Sequence, residues 1–167
     1  MVPFIGVEND AAHSEKRSDM NDGPDLRDVS LNAQRFVWPV RVYYEDTDSA
    51  GVVYYANYLR YFERARTEWL RALNFEQTEL AAQYGVVFVV RSIDVEYLRP
   101  ARFNDALSVS VELGEVRASQ ITMQQRVQRE NDTLVEAVVR VVCVNIAAMK
   151  PVRIPGFLLE KIRIKTK

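Results

Sequence analysis

Residues 57–73 read Asn57-Tyr58-Leu59-Arg60-Tyr61-Phe62-Glu63-Arg64-Ala65-Arg66-Thr67-Glu68-Trp69-Leu70-Arg71-Ala72-Leu73, and this stretch decides the fold. Tyr58, Phe62, Ala65, Trp69 and Leu73 recur every three or four positions, which places one apolar stripe along a helix. Arg64, Arg66 and Arg71 are expected on the solvated face. Asn57 has the chemistry of an N-cap and Asn74 that of a stop. A single long helix with an apolar stripe is stable only if something covers the stripe.

The flanking segments supply that cover. A shorter helix is expected over Gln77–Gln83, closed by Gly85. The period then switches from helical to alternating. Val86–Tyr97 reads as a strand, with Arg99-Pro100-Ala101-Arg102 as the turn after it. Ala106–Val116 alternates through Leu107, Val109, Val111 and Leu113, and Ser119–Arg129 through Ile121, Met123, Gln125 and Val127. Glu130-Asn131-Asp132-Thr133 reads as a hairpin turn. Leu134–Ile146 is almost continuously apolar, the pattern of a central strand buried on both faces. Upstream, Phe36–Tyr44 is β-rich, and Pro39 within it points to an edge or an early strand position. One strand, a long helix and a four-strand meander specify an antiparallel sheet wrapped around the helix, an α+β domain.

Composition bounds the class of protein. At 167 residues the chain holds one domain plus a tail, and its 48% hydrophobic content is enough for a core. A formal net charge of -1 gives no global field for nucleic acid. The one cysteine, Cys143, cannot form an internal disulfide, which fits a reducing, cytoplasmic setting, and in an apolar strand it reads as a buried structural thiol. No apolar run has the length of a membrane span. Met1–Val7 is too short and uncharged to serve as a signal peptide. Residues 1–34, polar and without hydrophobic periodicity, are expected to be a disordered extension. The folded domain is expected over 35–160, with 161–167 as a C-terminal tail.

Chemistry concentrates just ahead of the helix. Tyr44-Glu45-Asp46-Thr47-Asp48-Ser49-Ala50-Gly51-Val52-Val53-Tyr54-Tyr55-Ala56-Asn57-Tyr58 carries three carboxylates, a glycine and four tyrosines. Taken alone it is an acidic turn. Its position matters, because the N–H groups and positive dipole end of a helix start can polarise a carbonyl oxygen while a nearby acid attacks the carbonyl or activates water.

These residues resemble a known family. Asp46–Tyr58 is similar to the signature of hotdog-fold acyl-CoA thioesterases of the 4-hydroxybenzoyl-CoA thioesterase type, and more closely to the Tol-Pal-associated acyl-CoA thioesterases. Trp38–Asp48, Tyr61–Glu68, Val95-Glu96-Tyr97, Pro100-Ala101-Arg102 and Val141–Val144 fit the same pattern in order. The resemblance implies a hotdog fold, in which a five-stranded antiparallel sheet wraps a long central helix, and self-association as a homodimer or homotetramer with sites at the subunit interface. It implies Asp48 as nucleophile or general base, and the helix start near Tyr55 as the carbonyl-polarising group through its backbone N–H. Gly51 and Val52 are implied at the substrate, and Arg117 and Arg153 at the coenzyme A nucleotide. Many Tol-Pal-associated members carry histidine where this chain has Tyr55, while hydroxybenzoyl-type enzymes carry tyrosine; a backbone donor tolerates that change. The implied substrates are acyl-CoA thioesters with a short aliphatic or an aromatic acyl group.

A second reading, of a different class, is a weakly catalytic partner protein that binds acyl carrier protein or phospholipid-synthesis enzymes at the inner membrane face. Asp46 reads as a local turn residue. Glu63 stands where other hotdog lineages place their acid, but beside Arg64 and Arg66 it reads more readily as a solvated or paired charge. The only histidine, His13, lies in the extension, which argues against Ser-His-Asp hydrolysis and against histidine-dependent hotdog dehydratases. No zinc cluster, phosphate loop or dinucleotide fingerprint is present, so neither metal nor cofactor is expected.

Overall fold

A computed structural model of the protein describes residues 31–32 and 35–164. The elements run β1 (Leu31–Asn32), β2 (Arg35–Arg41), α1 (Asn57–Ala72), α2 (Gln77–Tyr84), β3 (Val86–Tyr97), β4 (Ala106–Val116), β5 (Gln120–Arg129), β6 (Asp132–Asn145), β7 (Lys150–Pro151) and α3 (Gly156–Ile164). The strands form one antiparallel sheet in the order β1-β2-β4-β5-β6-β3, with β7 paired to β6. The five long strands and the helix they enclose make the expected α+β hotdog architecture.

The stripe on α1 is what the sheet closes over. Tyr58, Tyr61, Phe62, Ala65, Trp69 and Leu70 are buried there. They meet Val109 and Val111 of β4, Ile121, Met123 and Val127 of β5, and Val135, Val139, Val141 and Cys143 of β6 in one cluster. Each large side chain so buried contributes about 1.5–3 kcal/mol, and truncating Phe62 to alanine would cost about 3–5 kcal/mol. A polar stitch crosses this core: Arg66 donates to Gln125 Oε1 (2.7 Å), and the buried Gln125 amide donates to the Phe62 carbonyl (3.1 Å). The helix stops as expected, with Asn74 at φ 63°, and Gly85 closes α2 at φ 62° with its N–H on the Ala81 carbonyl.

Several expectations change. The first strand ends at Arg41 rather than Tyr44, because Tyr44–Asp46 coils into a 3-10 turn. Pro39 sits on β2 opposite Ser108, in a strand whose far side carries only the two-residue β1, as an absent N–H requires. Asn57 is not the N-cap; Ala56 holds that position, and the buried Asn57 amide donates instead to the Asp46 carbonyl (2.9 Å). β6 is central but not buried on both faces throughout. Its odd-numbered residues from Val135 to Cys143 join the core, while between them Arg140 is exposed and Glu136 and Val138 are half-buried. Lys161–Ile164, expected in the tail, continue α3, where Leu158 and Ile162 are fully buried and pin the helix to the core. Apart from β1, the extension expected over 1–34 lies outside the described residues, as do 165–167. No described helix is long and apolar enough to cross a membrane.

Candidate active site

The acidic segment folds into a closed loop returning to Asp46. The Asp46 carbonyl accepts the Tyr54 N–H (2.8 Å) and the Asn57 amide, and its buried carboxylate accepts the Tyr43 N–H (2.9 Å). Asp46 is therefore structural, as expected. Within the loop Thr47 bridges Val53, the Asp48 N–H donates to the Val52 carbonyl (2.9 Å), and the Gly51 N–H donates to the Asp48 carbonyl (3.0 Å). Gly51 turns at φ 74°, a left-handed conformation that favours glycine. The Asp48 carboxylate is exposed, and its Oδ1 accepts the Ala50 N–H (2.8 Å). Its Oδ2 has no hydrogen-bond partner among the described residues. The loop thus fixes one carboxylate oxygen and leaves the other available. Val53 and Val52 tie the loop to Ala101 and Arg102 beyond β3.

The helix start lies next along the chain. The backbone N–H groups of Tyr55 and Ala56 meet no acceptor among the described residues, so the positive end of α1 presents two free donors. Tyr97 Oη donates to the Tyr55 carbonyl (3.2 Å), holding that peptide from the far side, and the Tyr58 hydroxyl accepts the Ala101 N–H (2.9 Å). Val53, Tyr55, Tyr58, Tyr97 and Pro100 line a cleft of about 260 Å³ here. Burial raises the pKa of Tyr58 and Tyr97, and Tyr54 is raised mainly by the phenol of Tyr55, with a smaller push from the Asp48 charge. Deeper in, the Tyr61 hydroxyl is buried without a hydrogen bond of normal geometry; burial first, and then the Asp46 carboxylate, raises its pKa.

Asp48, Gly51 and Val52 therefore share one hydrogen-bonded loop that runs directly into the helix start at Tyr55, whereas Arg117 and Arg153 do not join it within one protomer. Arg117 lies in the β4–β5 turn, exposed and paired with Glu115 (2.8 Å). The bond from the Ile154 N–H to the Ala118 carbonyl (2.8 Å) brings the backbone at Arg153 beside that turn. β4 starts near the acidic loop and spans 11 residues before it reaches them, about 30 Å at ~3.3 Å per residue. Glu63 is exposed and accepts the Thr67 hydroxyl (2.8 Å). It stands at the rim of a separate apolar chamber between α1, β3 and β5. Cys143 is fully buried, and burial pushes its thiol pKa up, as suits a packing residue. Among the described residues no three His, Cys, Asp or Glu side chains converge as metal ligands. The second free donor, on Ala56, and the Tyr97 brace carry no motif of their own; only the folded loop reveals them.

A sheet curled around one long helix, with a carboxylate fixed ahead of that helix's N-terminus, defines a hotdog-fold thioesterase domain. The chain belongs to the thioesterase-like superfamily, whose family model matches residues 42–162. It is 48% identical to the acyl-CoA thioesterase YbgC of Haemophilus influenzae over 120 residues, covering 72% of this chain and 88% of that one. It is 47% identical to the acyl-CoA thioester hydrolase YbgC of Escherichia coli O6:H1 over 134 residues, covering 80% and 99%. Among solved structures, a probable thioesterase from Bartonella henselae superposes with a TM-score of 0.69 at 36% identity, covering 71% of this chain and 98% of that one.

Proposed function

We propose that the protein hydrolyses acyl-CoA thioesters to the free acid and coenzyme A, with Asp48 as the reacting carboxylate. The observation that carries this is a carboxylate at Asp48 with one oxygen unengaged, in the loop that leads into a helix start whose Tyr55 and Ala56 N–H groups have no acceptor among the described residues. The names of the relatives at 47–48% identity support the substrate class. The thioester oxygen would lie against the Tyr55 and Ala56 N–H groups, where the helix dipole stabilises the developing negative charge. Asp48 Oδ2 would then attack the carbonyl carbon or take a proton from an attacking water. The carbon–sulfur bond breaks and the thiolate leaves; where Asp48 itself has attacked, water then cleaves the anhydride, releasing the acid and restoring the carboxylate.

A second copy of the chain completes the site in this reading. β3 pairs with β6 on one side and, among the described residues, has no strand on the other. Twofold antiparallel pairing of two β3 edges sets the Tyr97 end of one copy, which lines the cleft, beside the Val86–Val90 end of its partner. That end borders the chamber and, through β6 and β5, the Arg117 turn. The dimer would thereby turn Arg117 and Arg153 of one protomer toward Asp48 of the other, in reach of the nucleotide phosphates. The test is thiol release from a panel of acyl-CoAs by the full chain, expected for at least one member. Turnover of none of them would sink the reading.

A further inference from the structure

Two successive peptides carry the free N–H groups at the start of α1, and their carbonyls are held differently. The Tyr54–Tyr55 peptide bears the Tyr55 N–H, and its carbonyl accepts the Asn57 N–H (2.8 Å) within the backbone turn. The Tyr55–Ala56 peptide bears the Ala56 N–H. Its carbonyl lies outside the helical ladder, because the Leu59 N–H, four residues on, donates to the Ala56 carbonyl instead (3.2 Å). Among the described residues the one hydrogen-bond donor to the Tyr55 carbonyl is the Tyr97 hydroxyl, at 3.2 Å. Tyr97 is firmly mounted. It closes β3 opposite Val135, and the next two N–H groups, of Leu98 and Arg99, both donate to the Leu134 carbonyl (2.8 and 3.0 Å). Its ring stands edge-on to Tyr58 (5.9 Å) and Tyr55 (6.3 Å), and Tyr58 is in turn fixed by the Ala101 N–H on its hydroxyl (2.9 Å).

We infer that Tyr97 is a positioning residue for the hydrolysis: by binding the Tyr55 carbonyl, its hydroxyl aims and strengthens the Ala56 N–H, at the other side of the same peptide, as a donor to the oxyanion. The inference rests on the thioesterase reading. A peptide is planar, so fixing its carbonyl fixes the direction of its N–H. A hydrogen bond accepted by the carbonyl also polarises the amide, and chained bonds reinforce one another. The effect grows along the reaction. As negative charge develops on the thioester oxygen facing the Ala56 N–H, the peptide polarises further and the Tyr55 carbonyl becomes a better acceptor. The Tyr97 bond, at 3.2 Å, is longer than the ~2.7–2.8 Å usual for a hydroxyl donor, so it has room to shorten at that moment. The gain therefore falls on the transition state rather than on the bound substrate, and it belongs in kcat and not in KM. The Tyr55 N–H needs no such side chain, because the backbone turn already holds its peptide.

The experiment replaces Tyr97 by phenylalanine in the full chain, which keeps the ring between Tyr55 and Tyr58 and removes only the hydroxyl. kcat and KM are measured on the acyl-CoA that wild type turns over best, with thermal unfolding alongside. In Tyr97→Phe kcat is expected to fall on the order of tenfold, less than the ~10²–10³-fold of losing an oxyanion donor outright, with KM within about twofold of wild type. Tyr55-Ala56 is the one Tyr–Ala step in the sequence, so isotope labelling of tyrosine carbonyl carbon and alanine nitrogen isolates this peptide as a single NMR cross-peak. Loss of the bond should move that peak upfield in both dimensions. A fall in kcat at constant KM together with the displaced peak upholds the inference. A kcat retained in full, a loss carried by KM, or a stationary peak overturns it and leaves the thioesterase reading standing. If wild type turns over no acyl-CoA, that reading falls and the inference falls with it.

Discussion

Asp46 and Asp48 lie two residues apart, yet replacing each by asparagine should have opposite consequences. Asp48 is exposed, and its Oδ1 accepts the Ala50 N–H at 2.8 Å. Asparagine keeps that oxygen and removes only the charge and the basicity of Oδ2. Stability should change by no more than ~0.5 kcal/mol, as for surface positions in general. Losing the reacting carboxylate should lower kcat by ~10²–10⁴-fold, which is about 3–5 kcal/mol of barrier at ~1.4 kcal/mol per tenfold. Asp46 is buried, and its carboxylate accepts the Tyr43 N–H at 2.9 Å. Exchanging this charge-assisted bond for a neutral one should cost about 1 kcal/mol, roughly 3 °C in Tm for a chain of this size. Its carbonyl, which holds Tyr54 and Asn57, is untouched, so turnover should stay within a few-fold of wild type. The assay is thiol release from the best acyl-CoA alongside thermal unfolding of the same preparations. The reasoning fails if Asp48→Asn retains more than a third of wild-type kcat, or if the Asp46 variant loses as much activity as the Asp48 variant.

Asn57→Ala should lower stability by about 1 kcal/mol, since the Asp46 carbonyl keeps its bond to Tyr54. It should also lower kcat by about tenfold, because that amide ties the helix start to the acidic loop and small misplacements are costly in catalysis. Equal losses of stability with unchanged kcat would show that the tie does not position the site. Cys143 has a raised pKa in the folded state, from burial. Its contribution is therefore complete below the ordinary thiol pKa of ~8.5 and is lost as pH rises toward the folded value. Urea unfolding at intervals above pH 8 should show stability falling more gently in Cys143→Ala than in wild type, and parallel slopes would contradict this. Thiol reagents at pH 8 should label Cys143 only under unfolding conditions.

How much the sequence discloses depends on whether a residue's partner is local. The α1 stripe, the Gly85 close and the alternation of β4 and β5 are set by neighbours a few positions away, and each appears where periodicity places it. Asn57 has ideal capping chemistry, but its amide is taken by a carbonyl 11 residues upstream, a contact no local rule anticipates. β6 reads as doubly buried because Val138 is as apolar as Val139, although only the latter faces the core. Lys161–Ile164, the last turn of α3, read as a tail because Lys161 and Arg163 make that stretch polar. The helix's buried side follows from Phe75 and Tyr84, about 80 residues away. For the site, the motif points to Asp48 and to the helix start near Tyr55. The distribution of hydrogen bonds, which occupies Asp46 and leaves Oδ2 of Asp48 and the Ala56 N–H open, exists only once the loop has closed.

The bare margin of β3 carries a further consequence for the life of the protein. Among the described residues no strand pairs with one side of this 12-residue strand, and such an edge is a template onto which any extended chain can add, its own unfolded copies included. Occupation of that margin by a folded twin would protect it, and so ties folding to abundance. Melting temperature should then rise with protein concentration, and a freshly synthesised chain would be most vulnerable in the interval before it meets its first companion.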